Sequence, residues 1–216
     1  MPLDSAARVF EDLERHRIVP VVSIENEAHL DALAGGLALA GLPIVEITLR
    51  SAYAHRAIAR ASSTHALRVG AGSVLTVDDA KATADAGASF IVSPGLHSGV
   101  VDWCLDNGMP VLPGVATATE VLAAREMGLR TLKFFPASVI GGAAWLAAIA
   151  GPIPDMRFVA TGGIDAASAP GFLARPNLLA VGGSWFLPKG ASSRDPEATA
   201  TGVRDALAAL TNPLTR

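Results

Sequence analysis

The chain has one cysteine, one tyrosine and, among its 17 basic residues, only three lysines, Lys81, Lys133 and Lys189. Each scarcity narrows what the protein is. A lone Cys104 forms no internal disulfide and nucleates no thiolate metal cluster, which points to a reducing compartment, the cytoplasm, rather than to secretion. Basic residues do not outnumber acidic ones: 17 Lys and Arg stand against 20 Asp and Glu, a formal charge of −3. Without a basic footprint, neither nucleic acid nor an anionic membrane surface is an expected partner. No apolar run approaches the ~20 residues that a membrane span needs. The opening segment MPLDSAARVFEDLERHR mixes acids with arginines in an amphipathic pattern, unlike a secretory signal. What remains is apolar, half of the residues being hydrophobic and 17% charged. That is too hydrophobic for a disordered chain and enough for a sizeable core.

Eight short β-branched runs recur along the chain: Ile18–Ile24, Ile44–Leu49, Leu67–Val74, Ser89–Ser93, Pro110–Val115, Thr131–Phe135, Arg157–Thr161 and Leu178–Gly182. Between them lie Ala-rich stretches with helical periodicity, such as EAHLDALAGGLALAG, VDDAKATADAG and TATEVLAAREMG. Strands alternating with helices indicate βαβ units and a parallel sheet. Gly41, Gly87, Gly108 and Gly128 stand directly before the next strand, where glycine closes a helix. Thr76 with Asp79, and Thr117 with Glu120, have the spacing of N-terminal capping boxes. Eight units in 216 residues leave about 27 residues each, which predicts an α/β fold, a single compact (β/α)8 TIM barrel over residues 1–216. An extra helix over roughly residues 3–16 precedes the first strand. The competing architecture, an open doubly wound sheet, would place a glycine fingerprint after its first strand, and VSIENEAHL has no glycine.

In such a barrel the reactive groups sit at the C-terminal ends of the strands. Glu46 and Arg50 lie four residues apart in IVEITLR, a spacing that puts both on the interior face. Charges buried there need partners, so a structural ion pair is the plain alternative to a catalytic role. Lys133 is the sharper signal. It stands mid-strand in TLKFFP, where Val or Ile would normally be chosen, whereas Lys81 reads as a helix-surface residue and Lys189 as a loop charge. Desolvation beside Phe134 or Phe135, with Arg50 near, would disfavour the charged amine and prepare it to attack a carbonyl. The structural alternative is a lysine paired with Glu46 or another acid. Two glycine-rich turns, Thr161-Gly162-Gly163 and Gly182-Gly183-Ser184, follow the last two strands, the recurrent phosphate position of these barrels. The histidines show no metal-ligand spacing; His97 is the one placed near the functional end. An amine, a carboxylate, an arginine and a phosphate cradle together suit carbon–carbon bond chemistry on a phosphorylated keto acid. An isomerase or epimerase using Glu46 as base, and a non-catalytic phosphosugar-binding barrel, are the other readings, but neither needs a lysine in that strand.

The segments VEITLR (45–50), VGAGSVL (69–75), IVSPGL (91–96), LPGVAT (112–117), LKFFPAS (132–138), TGGI (161–164) and GGSWFLP (182–188) resemble the bacterial 2-keto-3-deoxy-6-phosphogluconate (KDPG) and 4-hydroxy-2-oxoglutarate (KHG) aldolase family. The resemblance runs through nearly the whole chain. It implies a class I aldolase that uses no metal and no cofactor, is usually a homotrimer, and yields pyruvate and D-glyceraldehyde 3-phosphate. It implies Lys133 as the Schiff-base residue and Glu46 as general acid/base. Arg50, Ser73 and Pro94 correspond to the residues around pyruvate, with Arg50 on its carboxylate. Phe135 is expected as a further substrate-binding residue, and Gly162, Gly163, Gly183 and Ser184 correspond to the phosphate site with Thr161 beside it. Ser73 stands where the family commonly has threonine, and keeps the hydroxyl. GVATATE (114–120) is closer to phosphogalactonate relatives, whereas EITLR, KFFPA and GGSW favour the phosphogluconate enzymes.

Overall fold

In the computed structural model, which describes residues 3–65 and 67–211, all strand pairings are parallel and the sheet order is β5-β4-β3-β2-β1-β9-β8-β7-β6. The strands are β1 (Ile18–Val22), β2 (Ile44–Thr48), β3 (Arg68–Gly72), β4 (Phe90–Val92), β5 (Val111–Leu112), β6 (Gly114–Val115), β7 (Thr131–Phe134), β8 (Arg157–Thr161) and β9 (Leu178–Gly183). The predicted fifth strand is thus split in two. Pro113 lacks the N–H that a continuous ladder requires, but its carbonyl still accepts from the Lys133 amide at 3.0 Å. Since β5 and β6 are joined through that one residue and stand at the two ends of the sheet order, the chain itself closes the ring. The architecture is the expected α/β barrel, with eight staves of which one is broken.

The helices are α1 (Leu3–His16), α2 (Glu27–Ala40), α3 (Ala54–Thr64), α4 (Val77–Asp85), α5 (Ser98–Asp106), α6 (Ala118–Glu126), α7 (Gly142–Ala150), α8 (Ala169–Leu173) and α9 (Pro196–Thr211). Both capping boxes form: Thr76 accepts from the Asp79 amide at 3.0 Å and Thr117 from the Glu120 amide at 3.3 Å. The four helix-closing glycines all have positive φ. Among the described residues no helix is long and apolar enough to cross a membrane.

The extra helix α1 lies across the end of the barrel opposite the reactive face. Its Val9 and Leu13 are fully buried, while Asp12 pairs with Arg68 at the start of β3 and Glu14 with Arg157 at the start of β8. Arg17 donates to the carbonyls of Leu173, Leu178 and Leu179 at 2.8–2.9 Å, fastening the same end. With that end sealed, the opposite strand ends are left to form a cleft. Alternation along β7 sorts its side chains between layers: Phe134 faces the helices, stacked on Trp145 of α7 with ring centroids 4.3 Å apart. Lys133, one residue earlier, therefore faces the barrel interior.

Candidate active site

Lys133 and Glu46 meet inside the barrel. Glu46 sits at the centre of β2, aligned with Val21 on β1 and Gly70 on β3, and Lys133 aligns with Gly114 on β6 and Val159 on β8. Lys133 Nζ donates to Glu46 Oε1 at 3.2 Å, and the two residues are 7% and 3% exposed. The Phe135 ring lies 5.3 Å from the ammonium, close enough for a cation–π contact. An unpaired charge at this depth would cost several kcal/mol, so each partner makes the other tolerable. The carboxylate also dictates its neighbour: a Cβ on Gly72 would come 2.3 Å from Glu46 Oε1, so no side chain fits there.

The pair lines a cleft of about 350 Å³ at the C-terminal ends of the strands, a size suited to a small metabolite. The residues given catalytic or substrate-binding roles from the sequence all line it: Glu46, Arg50, Ser73, Pro94, Lys133, Phe135, Thr161, Gly162, Gly163, Gly183 and Ser184. Arg50 reaches it from the turn just past β2 rather than from within the strand, which ends at Thr48. Its Nε donates to Thr48 Oγ1 at 3.1 Å, and that hydroxyl donates to the Val22 carbonyl at 2.9 Å. This chain fixes the near end of the guanidinium, whose outer nitrogens have no partner among the described residues. Ser73 adopts φ 60°, a left-handed conformation that costs a non-glycine residue roughly 1–2 kcal/mol and marks functional turns more often than ordinary ones.

At the other side of the mouth, Gly162 and Gly163 have φ of 98° and 74°. These are conformations that only glycine adopts cheaply. The turn they form is clamped by the segment after β7, where the Ser138 amide donates to Gly162 O at 3.0 Å and Ser138 Oγ to Gly163 O at 2.7 Å. With the carbonyls so engaged, the amides of Gly162, Gly163 and Ser184 donate to no group among the described residues. The buried Thr161 hydroxyl and Trp185 indole N–H are likewise without a protein partner. Open amides at the mouth of a cleft, with two buried donors beside them, form a site that an anionic ligand satisfies.

Three placements differ from the sequence expectation. His97 does not line the cleft; its Nδ1 accepts from the Val100 amide at 3.2 Å and caps α5. Lys189 is exposed loop, as expected, yet it stands on the rim of the cleft. Thr48 lines it too, and its residue type gave no signal, since threonine is an ordinary strand residue.

A parallel (β/α)8 barrel, sealed at one end and holding an amine against a carboxylate in its open mouth, places the chain among the barrels that handle small anionic substrates at their strand ends. The family is specific: the model described as "KDPG and KHG aldolase" matches residues 9–200, and the chain belongs to that family. It is 44% identical over 181 residues to the 2-dehydro-3-deoxy-phosphogluconate aldolase of Treponema pallidum, covering 83% of this chain and 86% of that protein. The 2-keto-3-deoxy-6-phospho-gluconate aldolase of Zymomonas mobilis superimposes with a TM-score of 0.87 at 36% identity, over 92% of this chain and 95% of that one. The KDPG aldolase of Legionella pneumophila, solved with pyruvate captured as a covalent carbinolamine, superimposes with a TM-score of 0.86 at 30% identity, over 91% and 97%.

Proposed function

We propose that this protein is a class I aldolase that cleaves 2-dehydro-3-deoxy-6-phosphogluconate to pyruvate and D-glyceraldehyde 3-phosphate. The observation that carries the reading is the contact of Lys133 Nζ with Glu46 Oε1 inside the cleft. Glu46 is positioned to take a proton from the amine, and the free amine attacks the C2 keto carbon of the substrate. Loss of water from the carbinolamine gives an iminium. A carboxylate then removes the C4 hydroxyl proton, the C3–C4 bond breaks, and its electrons pass into the iminium to give an enamine. The aldehyde leaves, C3 is protonated, and hydrolysis returns the lysine and frees pyruvate. Arg50 holds the substrate carboxylate, with Ser73 and Pro94 beside the pyruvate portion and Phe135 against its apolar face. The open amides of Gly162, Gly163 and Ser184, with Gly183 and Thr161 beside them, receive the phosphate.

Covalent capture of pyruvate in the Legionella relative supports the lysine chemistry, and the relatives' names support the phosphogluconate substrate. Residues 1–216 act as one domain, the family resemblance points to a homotrimer, and the single cysteine fits the cytoplasm.

Borohydride reduction in the presence of pyruvate, followed by peptide mass spectrometry, is expected to place the adduct on Lys133. An unmodified Lys133, or an adduct at Lys81 or Lys189, would overturn the assignment. A lactate-dehydrogenase-coupled assay on phosphogluconate, phosphogalactonate and hydroxyoxoglutarate substrates ranks the three; the highest kcat/KM is expected for the first.

A further inference from the structure

Four ionisable residues line the cleft: Glu46, Arg50, Lys133 and Lys189. Glu46 and Lys133 neutralise each other. Arg50 and Lys189 are left, two positive charges in a chain whose formal charge is −3. Lys189 has no ion-pair partner among the described residues. It stands five residues after Ser184, on the loop that continues from the open amides.

The same residue borders a second hollow of about 250 Å³ that shares Val21, Arg50 and Ser184 with the main cleft and is otherwise walled by groups such as Val22, His29 and Leu187. Burial is the largest influence on the His29 imidazole and pushes it below its usual value, with Glu25 raising it and Arg194 lowering it less strongly; the cations that line this hollow are Arg50 and Lys189. A carboxylate brings one negative charge and a phosphate monoester between one and two at neutral pH. One guanidinium suffices for the first. Backbone amides, which carry only partial charge, leave the second incompletely neutralised.

We propose that Lys189 is a specificity-determining residue, a loop-borne cation on the rim at the phosphate end of the cleft that sets the preference for phosphorylated substrates. It rests on the aldolase reading above and adds to it a charge that the glycine turns do not provide. Being exposed and on a flexible stem, the ammonium acts as a point charge whose effect salt weakens. It touches neither Lys133 nor Glu46, so it acts on substrate capture and leaves the chemical step alone.

The test compares wild type, Lys189→Ala and Lys189→Arg on 2-dehydro-3-deoxy-6-phosphogluconate and on unphosphorylated 2-dehydro-3-deoxygluconate. In Lys189→Ala the ratio of the two kcat/KM values is expected to fall about tenfold, mainly through KM of the phosphorylated substrate. Lys189→Arg should recover most of the ratio, and rising salt should shrink the difference between wild type and Lys189→Ala. An unchanged ratio, or equal losses on both substrates, overturns the proposal. Calorimetric titration with inorganic phosphate reads the same residue without turnover: binding is expected to weaken severalfold in Lys189→Ala. No binding by wild type, or equal binding by both, also counts against it. A wild type that binds phosphate through Lys189 yet releases no pyruvate would instead sink the aldolase reading.

Discussion

Lys133 and Glu46 touch at 3.2 Å although they stand on opposite staves of the barrel, β7 being the fourth stave from β2 in either direction around the ring. Two long side chains meet in the middle of the interior, with Gly70 beside Glu46 and Gly114 beside Lys133 in the strand register, and with Gly72 leaving room for the Glu46 carboxylate. The contact makes the two residues interdependent in stability as well as in chemistry.

Lys133→Met leaves the Glu46 carboxylate buried without its partner. A fully enclosed pair would lose about 3–5 kcal/mol on losing one member; this pair borders an open cleft, so about 1–3 kcal/mol is expected. Adding Glu46→Gln should restore at least half of the loss. Guanidinium denaturation midpoints of the single and double variants provide the check, and equal stabilities across the set would show the two groups to be uncoupled.

Glu46→Gln should fold and still accept pyruvate at Lys133, with a slower and partial borohydride adduct. Turnover should drop about 10²–10⁴-fold, the usual contribution of a general acid/base. Wild-type turnover in this variant would remove Glu46 from the mechanism.

Gly72→Ala forces a Cβ to within 2.3 Å of Glu46 Oε1 and 2.7 Å of its Cγ. The carboxylate must move off the lysine, at an overpacking cost of about 1–3 kcal/mol. Steady-state kinetics should show kcat reduced at least tenfold, and a variant with unaltered kcat and denaturation midpoint would contradict the packing described.

Thr48→Val removes the hydroxyl that links Arg50 Nε to the Val22 carbonyl. KM should rise about 5- to 10-fold through loss of a hydrogen bond worth ~1 kcal/mol, with kcat changed less. Thr48→Ser should recover the wild-type KM. A general loss of stability without the KM effect would assign Thr48 a packing role only.

Cys104 is fully buried on α5, and burial pushes its thiol up to about 12 from an ordinary value of 9.0. A raised pKa on an acid means that the folded state disfavours the thiolate. The stabilising contribution is whole below pH 9 and is lost progressively as pH rises from 9 toward 12, as the unfolded thiol ionises first. Stability should therefore decline across that window less steeply in Cys104→Ala than in wild type. Native protein at pH 8 should resist iodoacetamide until it unfolds.

Local signals carried much of the fold. The β-branched runs gave all eight staves, and capping residues such as Thr76 and Thr117 gave helix starts, because both features act over a few residues of chain. Helices α7 and α8 carry no such periodic signal. GAAWLAAIA is apolar almost throughout and shows no polar face, while APGFL is five residues long and holds both proline and glycine. The broken stave at Pro113 has no signal of its own either, since a proline at the closure of the barrel reads in sequence like any other proline in a strand.

The sequence by itself determined which residue was out of place. A lysine inside an apolar strand is chemically expensive wherever the strand goes, so Lys133 stands out without reference to any partner. The tertiary structure alone decided the partner, because Glu46 lies 87 residues away and only the register and closure of the parallel strands bring the two together. It also decided the place of Lys189, whose loop has no intrinsic direction and is aimed at the cleft by the strand and helix on either side of it.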